Sequence, residues 1–193
     1  MRVLSVVLLP LLLLATACSE PPHKELDRAQ GAIDAARAAG AEQYAAQAFT
    51  AATSALQQAH DAVTQRDYRL ALTRALDASD RAQDAAKGAA DGKARARSEA
   101  ESAINSLNAV LVRLQAVITA ERSRLPKAPL DAATRTQRTA ELALQKARAA
   151  LSTGNYLEAL QSVRGLEPPV TAQIQAVEAA AEARPAKPPR RRR

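Results

Sequence analysis

The chain has 193 residues, about a quarter of them alanine, with four aromatic residues, no tryptophan, few glycines and one cysteine. It carries 27 Lys and Arg against 20 Asp and Glu, a formal net charge of +7. That length holds one domain or a small helical array, a lone cysteine has no intrachain partner, and the absence of alternating β-branched and aromatic runs excludes a sheet-based fold.

Residues 1–17, MRVLSVVLLPLLLLATA, combine Arg2, an apolar stretch from Val3 to Leu14 interrupted by Ser5 and Pro10, and small residues before Cys18. This is the layout of an export signal, shorter than the roughly 20 apolar residues of a membrane span. No later segment is expected to span, because Arg113 ends the apolar run around Ala109 to Leu111. Leu14-Ala15-Thr16-Ala17-Cys18 resembles the lipobox of bacterial lipoproteins, with Ala15 where the family prefers leucine and Leu14 one position further back. The resemblance implies cleavage before Cys18, a diacylglycerol on its sulfur and an acyl chain on the new N-terminus. Two or more chains anchor a protein stably where one does not. Ser19, in place of an aspartate after the cysteine, implies sorting to the outer membrane. The alternative is a conventional signal cut after Ala17, with Cys18 left as a free thiol. Residues 18–23 are read as a linker.

The body reads as nearly all helix, since alanine has the best helix propensity and loses no side-chain entropy. A first helix over about 22–39 carries Leu26, Ala29, Ile33 and Ala36 at helical spacing, and Gly40 supplies its stop. A second, about 42–65, has Tyr44, Ala48, Ala52, Ala55, Ala59 and Val63 on one stripe. Arg66-Asp67 forms a turn in which Asp67 is placed to cap the next helix. That third helix starts near Tyr68 and extends to about Arg122, about 80 Å at 1.5 Å per residue. Gly88 and Gly92 are its expected weak point, where a kink or break is plausible. Beyond them Ile104, Leu107, Leu111, Leu114 and Ile118 form a short heptad seam, read as packing inside the domain, with a dimer seam as the alternative. A loop over 125–129 leads to a fourth helix, about 130–152, bearing Leu130, Ala133, Ala140, Leu144, Ala147 and Leu151. A short fifth carries Tyr156, Ala159, Leu160 and Val163 and is broken at Glu167-Pro168-Pro169. The last carries Val170, Ile174, Val177 and Ala181.

The chain closes on RPAKPPRRRR, residues 184–193, which cannot bury apolar surface and is expected to be disordered. This tail holds six cations and no carboxylate, whereas residues 18–183 hold 20 of each sign and are neutral. The body as a whole therefore has no excess of positive charge that would assign it to nucleic acid. Arg190, Arg191, Arg192 and Arg193 are candidate anion-binding residues, because guanidinium groups pair with phosphates and carboxylates.

ALQQAHDAVTQRDYRLAL, residues 55–72, aligns with ALQKARAALSTGNYLEAL, residues 143–160, at a constant offset of 88 with eight of eighteen positions identical. Both copies read as helix, polar turn, tyrosine, helix, the plan of a tetratricopeptide-like hairpin. The expected fold is thus all-α: alanine-rich antiparallel hairpins in a bundle with one long helix. Its expected divisions are a leader (1–17), the linker (18–23), a first helical repeat (24–88), a long-helix continuation (89–125), a second repeat with the last helix (126–183) and the tail (184–193). Residues 32–83, AIDAARAAGAEQYAAQAFTAATSALQQAHDAVTQRDYRLALTRALDASDRAQ, resemble the domain of unknown function 4398 family of bacterial envelope lipoproteins. Gly40-Ala41, Tyr44, Leu56, Ala59, Tyr68 and Ala71 match its pattern, while Ala46 or Gln47 stands where members often have proline. The resemblance implies an envelope lipoprotein; some members continue into an OmpA-like peptidoglycan-binding domain, for which residues 84–193 show no counterpart.

Material for catalysis is sparse. His23 and His60 have no second ligand nearby, and both read as solvated side chains. Asp77, Asp80 and Asp84, with Arg74 and Arg81, read as the paired face of an exposed helix. No nucleophile elbow or phosphate loop occurs. The sequence therefore points to a non-enzymatic protein without cofactor or metal. The expected role is an adaptor or structural lipoprotein of the cell envelope, probing the periplasm from a membrane leaflet and offering an Ala/Leu groove to a protein partner. The alternatives are a tether whose tail binds lipopolysaccharide or peptidoglycan, and an accessory subunit of an envelope enzyme. Nucleic acid is not an expected partner.

Overall fold

A computed structural model describes residues 20–183. Among these residues the chain is all-helical, in the order α1 (His23–Ala38), α2 (Ala41–Tyr44), α3 (Ala46–Thr64), α4 (Tyr68–Glu121), α5 (Lys127–Ser152), α6 (Tyr156–Val163) and α7 (Glu167–Glu182). They divide into two compact units, one ending at Gly92 and the other beginning at Lys93. Helix α4 supplies its first part to one and the remainder to the other.

The first unit is built on alanine. Ala29, Ala36, Ala52, Ala59, Ala75, Ala78, Ala82, Ala85 and Ala89 are all fully buried, joined by Leu26, Ile33, Phe49 and Leu56. Gly40, at φ 90°, ends α1 by accepting the left-handed conformation that the turn requires. The expected single helix over 42–65 is broken: Ala45, at φ −142° and ψ 42°, separates α2 from α3. The break sits against Gly92. A β-carbon there would run into the Tyr44 carbonyl oxygen, with the Tyr44 carbonyl carbon and Cβ each 3.1 Å away. Gly88 has Ala45 Cβ at 3.4 Å, an ordinary contact. Helix α4 runs unbroken through both glycines, and Gly92 lets another backbone approach it.

The second unit uses larger side chains. The seam Ile104, Leu107, Leu111, Leu114 and Ile118 packs with Ala140, Leu144 and Ala147 of α5 and with Val170, Ile174 and Val177 of α7. The seam is thus buried within its own unit. One 18-residue window of α4 reaches a mean hydropathy of 1.3, enough by composition to cross a membrane, and 28% of it is buried here. The expectation that nothing after the leader is that apolar is corrected to this extent: Arg113 is a single charge in an otherwise uncharged window. Two starts also differ from expectation. Helix α5 begins at Lys127 and α7 at Glu167, so Pro129 and Pro168-Pro169 lie in first turns, where the missing N–H has no intrahelical partner to lose.

The internal repeat is present in three dimensions. Arg66 (φ 60°) and Gly154 (φ 81°), 88 residues apart, are the left-handed residues that end α3 and α5. Arg66 N donates to Val63 O at 2.9 Å and Asp67 N to Ala62 O at 2.9 Å; Gly154 N donates to Leu151 O at 3.1 Å and Asn155 N to Ala150 O at 2.9 Å. This is the same paired bonding that closes a helix in a Schellman motif, repeated position for position. Tyr68 and Tyr156, half-buried, open the following helices. Asp67 Oδ1 accepts a bond from Leu70 N at 3.0 Å, the expected cap.

These turns make opposite predictions from equivalent positions. Arg66→Gly relieves a left-handed conformation that costs a side chain about 1 kcal/mol, so it raises the denaturation midpoint, whereas Gly154→Ala lowers stability by about 1 kcal/mol. Gly92→Ala is expected to destabilise by about 1–3 kcal/mol through overpacking, against a gain of about 1 kcal/mol for Gly31→Ala, which has nothing within 4 Å to meet. Urea denaturation followed by circular dichroism reads both pairs.

Candidate functional site

A recess lies wholly within the second unit, where α4 and α5 run side by side. Its floor is Leu111 and Leu144, both core residues, and its volume is about 510 Å³. Its walls come from the positions that flank the seam: Asn108, Val112 and Gln115 on α4, and Gln137, Glu141, Gln145 and Arg148 on α5. Helical periodicity sets this, because residues one step from a buried seam lie on its rim.

Three hydrogen bonds fix the rim. Gln137 Nε2 donates to Gln115 Oε1 at 2.6 Å and to Glu141 Oε1 at 2.7 Å. Arg148 Nη2 donates to Asn108 Oδ1 at 3.0 Å. The first and third cross between helices, and they leave amide groups facing solvent above an apolar floor. Val112, 63% exposed, adds an apolar edge. Such a groove suits amide and aliphatic groups, as a polypeptide presents them; it holds no nucleophile paired with a base. It differs from the expected Ala/Leu groove in its walls. The buried alanines are consumed between helices, and amides take the rim. No motif in the sequence marks Gln115 and Gln137 as partners; only their places beside the seam could have suggested it.

The expected site residues fall out as follows. Cys18 and Arg190, Arg191, Arg192 and Arg193 lie outside the described residues. His23 and His60 are exposed, and no group of three His, Cys, Asp or Glu side chains gathers among the described residues. Arg81 pairs with Asp77 at 2.9 Å, as the paired face anticipates, while Asp84 is met by Lys87 at 3.9 Å, a residue outside the expected set. Arg37, not singled out in the sequence, ties three elements together: it pairs with Asp34 at 2.8 Å and Glu42 at 2.9 Å and lies over the Phe49 ring at 5.3 Å. Its guanidinium is held above its ordinary pKa, first by the hydrogen bond to Glu42. Arg97 is raised likewise, first by its bond to Glu101 at 2.8 Å. Both stay charged at any physiological pH, so both are structural cations.

No family model, no curated protein and no solved structure matches the chain. Its likeness to the domain of unknown function 4398 family therefore rests on the residues quoted for it.

The groove floor and the exposed outer side of α5 are separable by mutation. Leu144→Ala opens a cavity and is expected to cost about 2–5 kcal/mol. Leu142→Ala, at a residue 67% exposed, changes stability by less than about 0.5 kcal/mol. Thermal unfolding of the two variants beside the parent provides the check.

Proposed function

We propose that this protein is a lipid-anchored, non-catalytic helical component of the bacterial cell envelope, held on the outer membrane by acylated Cys18 and facing the periplasm. The observation that carries the reading is the single cysteine, placed directly behind an export-type leader in a lipobox-like context. Acylation gives that cysteine a use that an unpaired thiol in an exported protein lacks. Kinship with the envelope lipoproteins of the domain of unknown function 4398 family, proposed from residues 32–83, supports the same placement.

The adaptor role follows from what the body offers. Among the described residues the interior is filled by hydrocarbon, the ionisable groups lie at the surface, and one recess is an amide-rimmed apolar groove. A surface of that kind holds a protein partner by burying Val112 and satisfying the rim amides. No step of chemistry is assigned to it.

A second reading, a tether between membrane and polyanion, is favoured by the distribution of charge. The described part of the first unit holds eight Lys and Arg against eleven Asp and Glu, and that of the second holds twelve against nine. The neutrality of the body thus conceals a net −3 followed by a net +3, and the six cations of the tail continue the second. The arginines at 190–193 are proposed to reach lipopolysaccharide phosphates or peptidoglycan carboxylates.

Cys18→Ser tests the anchor. The wild-type protein is expected in the membrane fraction at the mature mass, and the variant in the unprocessed form or in the soluble fraction. Globomycin, which blocks lipoprotein signal cleavage, should reproduce the precursor. Identical size and fractionation of both proteins would rule the anchor out.

A further inference from the structure

The positive charge of the second unit is unevenly placed. Residues 121–148, the turn after α4 and most of α5, hold seven cations and three carboxylates, while the rest of the described unit holds five and six. Within this segment Arg124 pairs with Glu121 at 3.3 Å, Lys146 with Glu158 at 3.4 Å, and Arg148 bonds to Asn108. Arg122, Lys127, Arg135 and Arg138 are exposed and form no ion pair among the described residues.

The three of these on α5 share a direction. At 100° per residue, Lys127, Arg135 and Arg138 fall within about 80° of one another on α5, opposite its buried stripe of Ala133, Ala140, Leu144 and Ala147. Asp131 lies in the same sector and offsets one of them. So does Leu142, which at 67% is the most exposed of the large hydrophobic side chains described. A leucine in the middle of a cationic helix face is what a helix lying on an anionic bilayer presents: cations meet headgroup phosphates while the apolar side chain enters the boundary below them.

The last described helix ends near this turn. Ala181 and Glu182 of α7 border the same recess as Glu121 and Arg124. The chain therefore leaves its last described residue beside the α4–α5 turn, and the next ten residues carry six cations and no carboxylate.

We propose that the outer face of α5, with the turn before it, docks on an anionic phospholipid membrane through Arg122, Lys127, Arg135, Arg138 and Leu142. The charge calls for a phosphate-rich surface, and Leu142 calls for one with an apolar layer. A peptidoglycan strand would use the cations and leave Leu142 wet. Nucleic acid would find no aromatic ring on this face for its bases to stack on. The proposal rests on the envelope reading only in bringing the mature chain to a membrane; the surface itself does not require an acylated Cys18.

The test uses the chain from Ser19 to Arg193, which keeps every core residue of both units and has no acyl anchor. It is sedimented with vesicles of mixed phosphatidylglycerol and phosphatidylcholine, and with phosphatidylcholine alone, at low and high salt. Binding to the anionic vesicles that falls with salt is expected. Each cation near such a surface strengthens binding about fivefold, so Arg122→Gln, Arg135→Gln and Arg138→Gln together should weaken it on the order of a hundredfold. Leu142→Ser should weaken vesicle binding several-fold and leave retention on a heparin column unchanged. Circular dichroism confirms that these exposed substitutions leave the helices intact. Four results would overturn the proposal: no binding to anionic vesicles, the triple variant binding like the parent, Leu142→Ser without effect on vesicles, or sedimentation with isolated peptidoglycan but not with vesicles. An acylated Cys18 in native protein alongside any of these would leave the adaptor reading standing; a free thiol alongside vesicle binding would do the reverse.

Discussion

Close approach of helices through alanine is the constraint on which the first unit depends. A methyl group contributes little burial on its own, roughly 0.8 kcal/mol per carbon. Its value lies in letting two backbones come together until dispersion contacts accumulate along the whole length of the pair. Alanines of α1, α3 and α4 are fully enclosed in this way, and at Tyr44 and Gly92 even a methyl group is too much. Enlargement at such a contact clashes before it fills anything. The second unit reaches the same end with leucine, isoleucine and valine on the seam, set against Ala133, Ala140 and Ala147 as well as larger residues, and closes a smaller contact with alanine alone at Ala100, Ala150 and Ala159.

The two units show how one supersecondary plan tolerates different interiors. Copies 88 residues apart share the left-handed terminator, the two closing hydrogen bonds and the half-buried tyrosine. Their fillings differ because the turn, rather than the core, fixes the hairpin. Arginine serves at position 66 where glycine serves at 154, so backbone geometry is retained even where the residue that adopts it most easily is not.

Much of this architecture was legible in the sequence for a simple reason: helical spacing of apolar residues and the position of glycines report burial and termini directly. The stripes on α1, α5 and α7 and the heptad seam of α4 were read from residues that are buried, apart from Leu130 and Leu151 of α5, which are half-buried. The break at Ala45 was hidden, because no proline or glycine marks it and alanine favours helix on both sides. At Gly88 and Gly92 the helix is not interrupted, and propensity, which weighs a glycine only as a loss to its own helix, is silent about the second backbone lying against Gly92. The groove was half visible: Leu111 and Leu144 announced themselves, while pairing between Gln115 and Gln137 is set by how α4 and α5 are rotated. The cationic face of α5 was masked by arithmetic, as the carboxylates that cancel it in the total belong largely to the first unit.

In the proposed reading, the interior serves structure and the surface serves attachment. Ser79 is the one buried polar residue among those described, so no ionisable group is held in a dry environment where its reactivity could be tuned. What remains is a body whose distinctive chemistry, by our reading, is a modified cysteine at one end of the mature chain and a basic surface toward the other. Intact-mass spectrometry of the native protein, extracted from membranes of the cell that makes it, tests this most directly. The account predicts a polypeptide beginning at Cys18 and heavier than its sequence by a diacylglycerol and an amide-linked fatty acid. A mass matching an unmodified chain, with its sulfhydryl free to react with iodoacetamide, would contradict it.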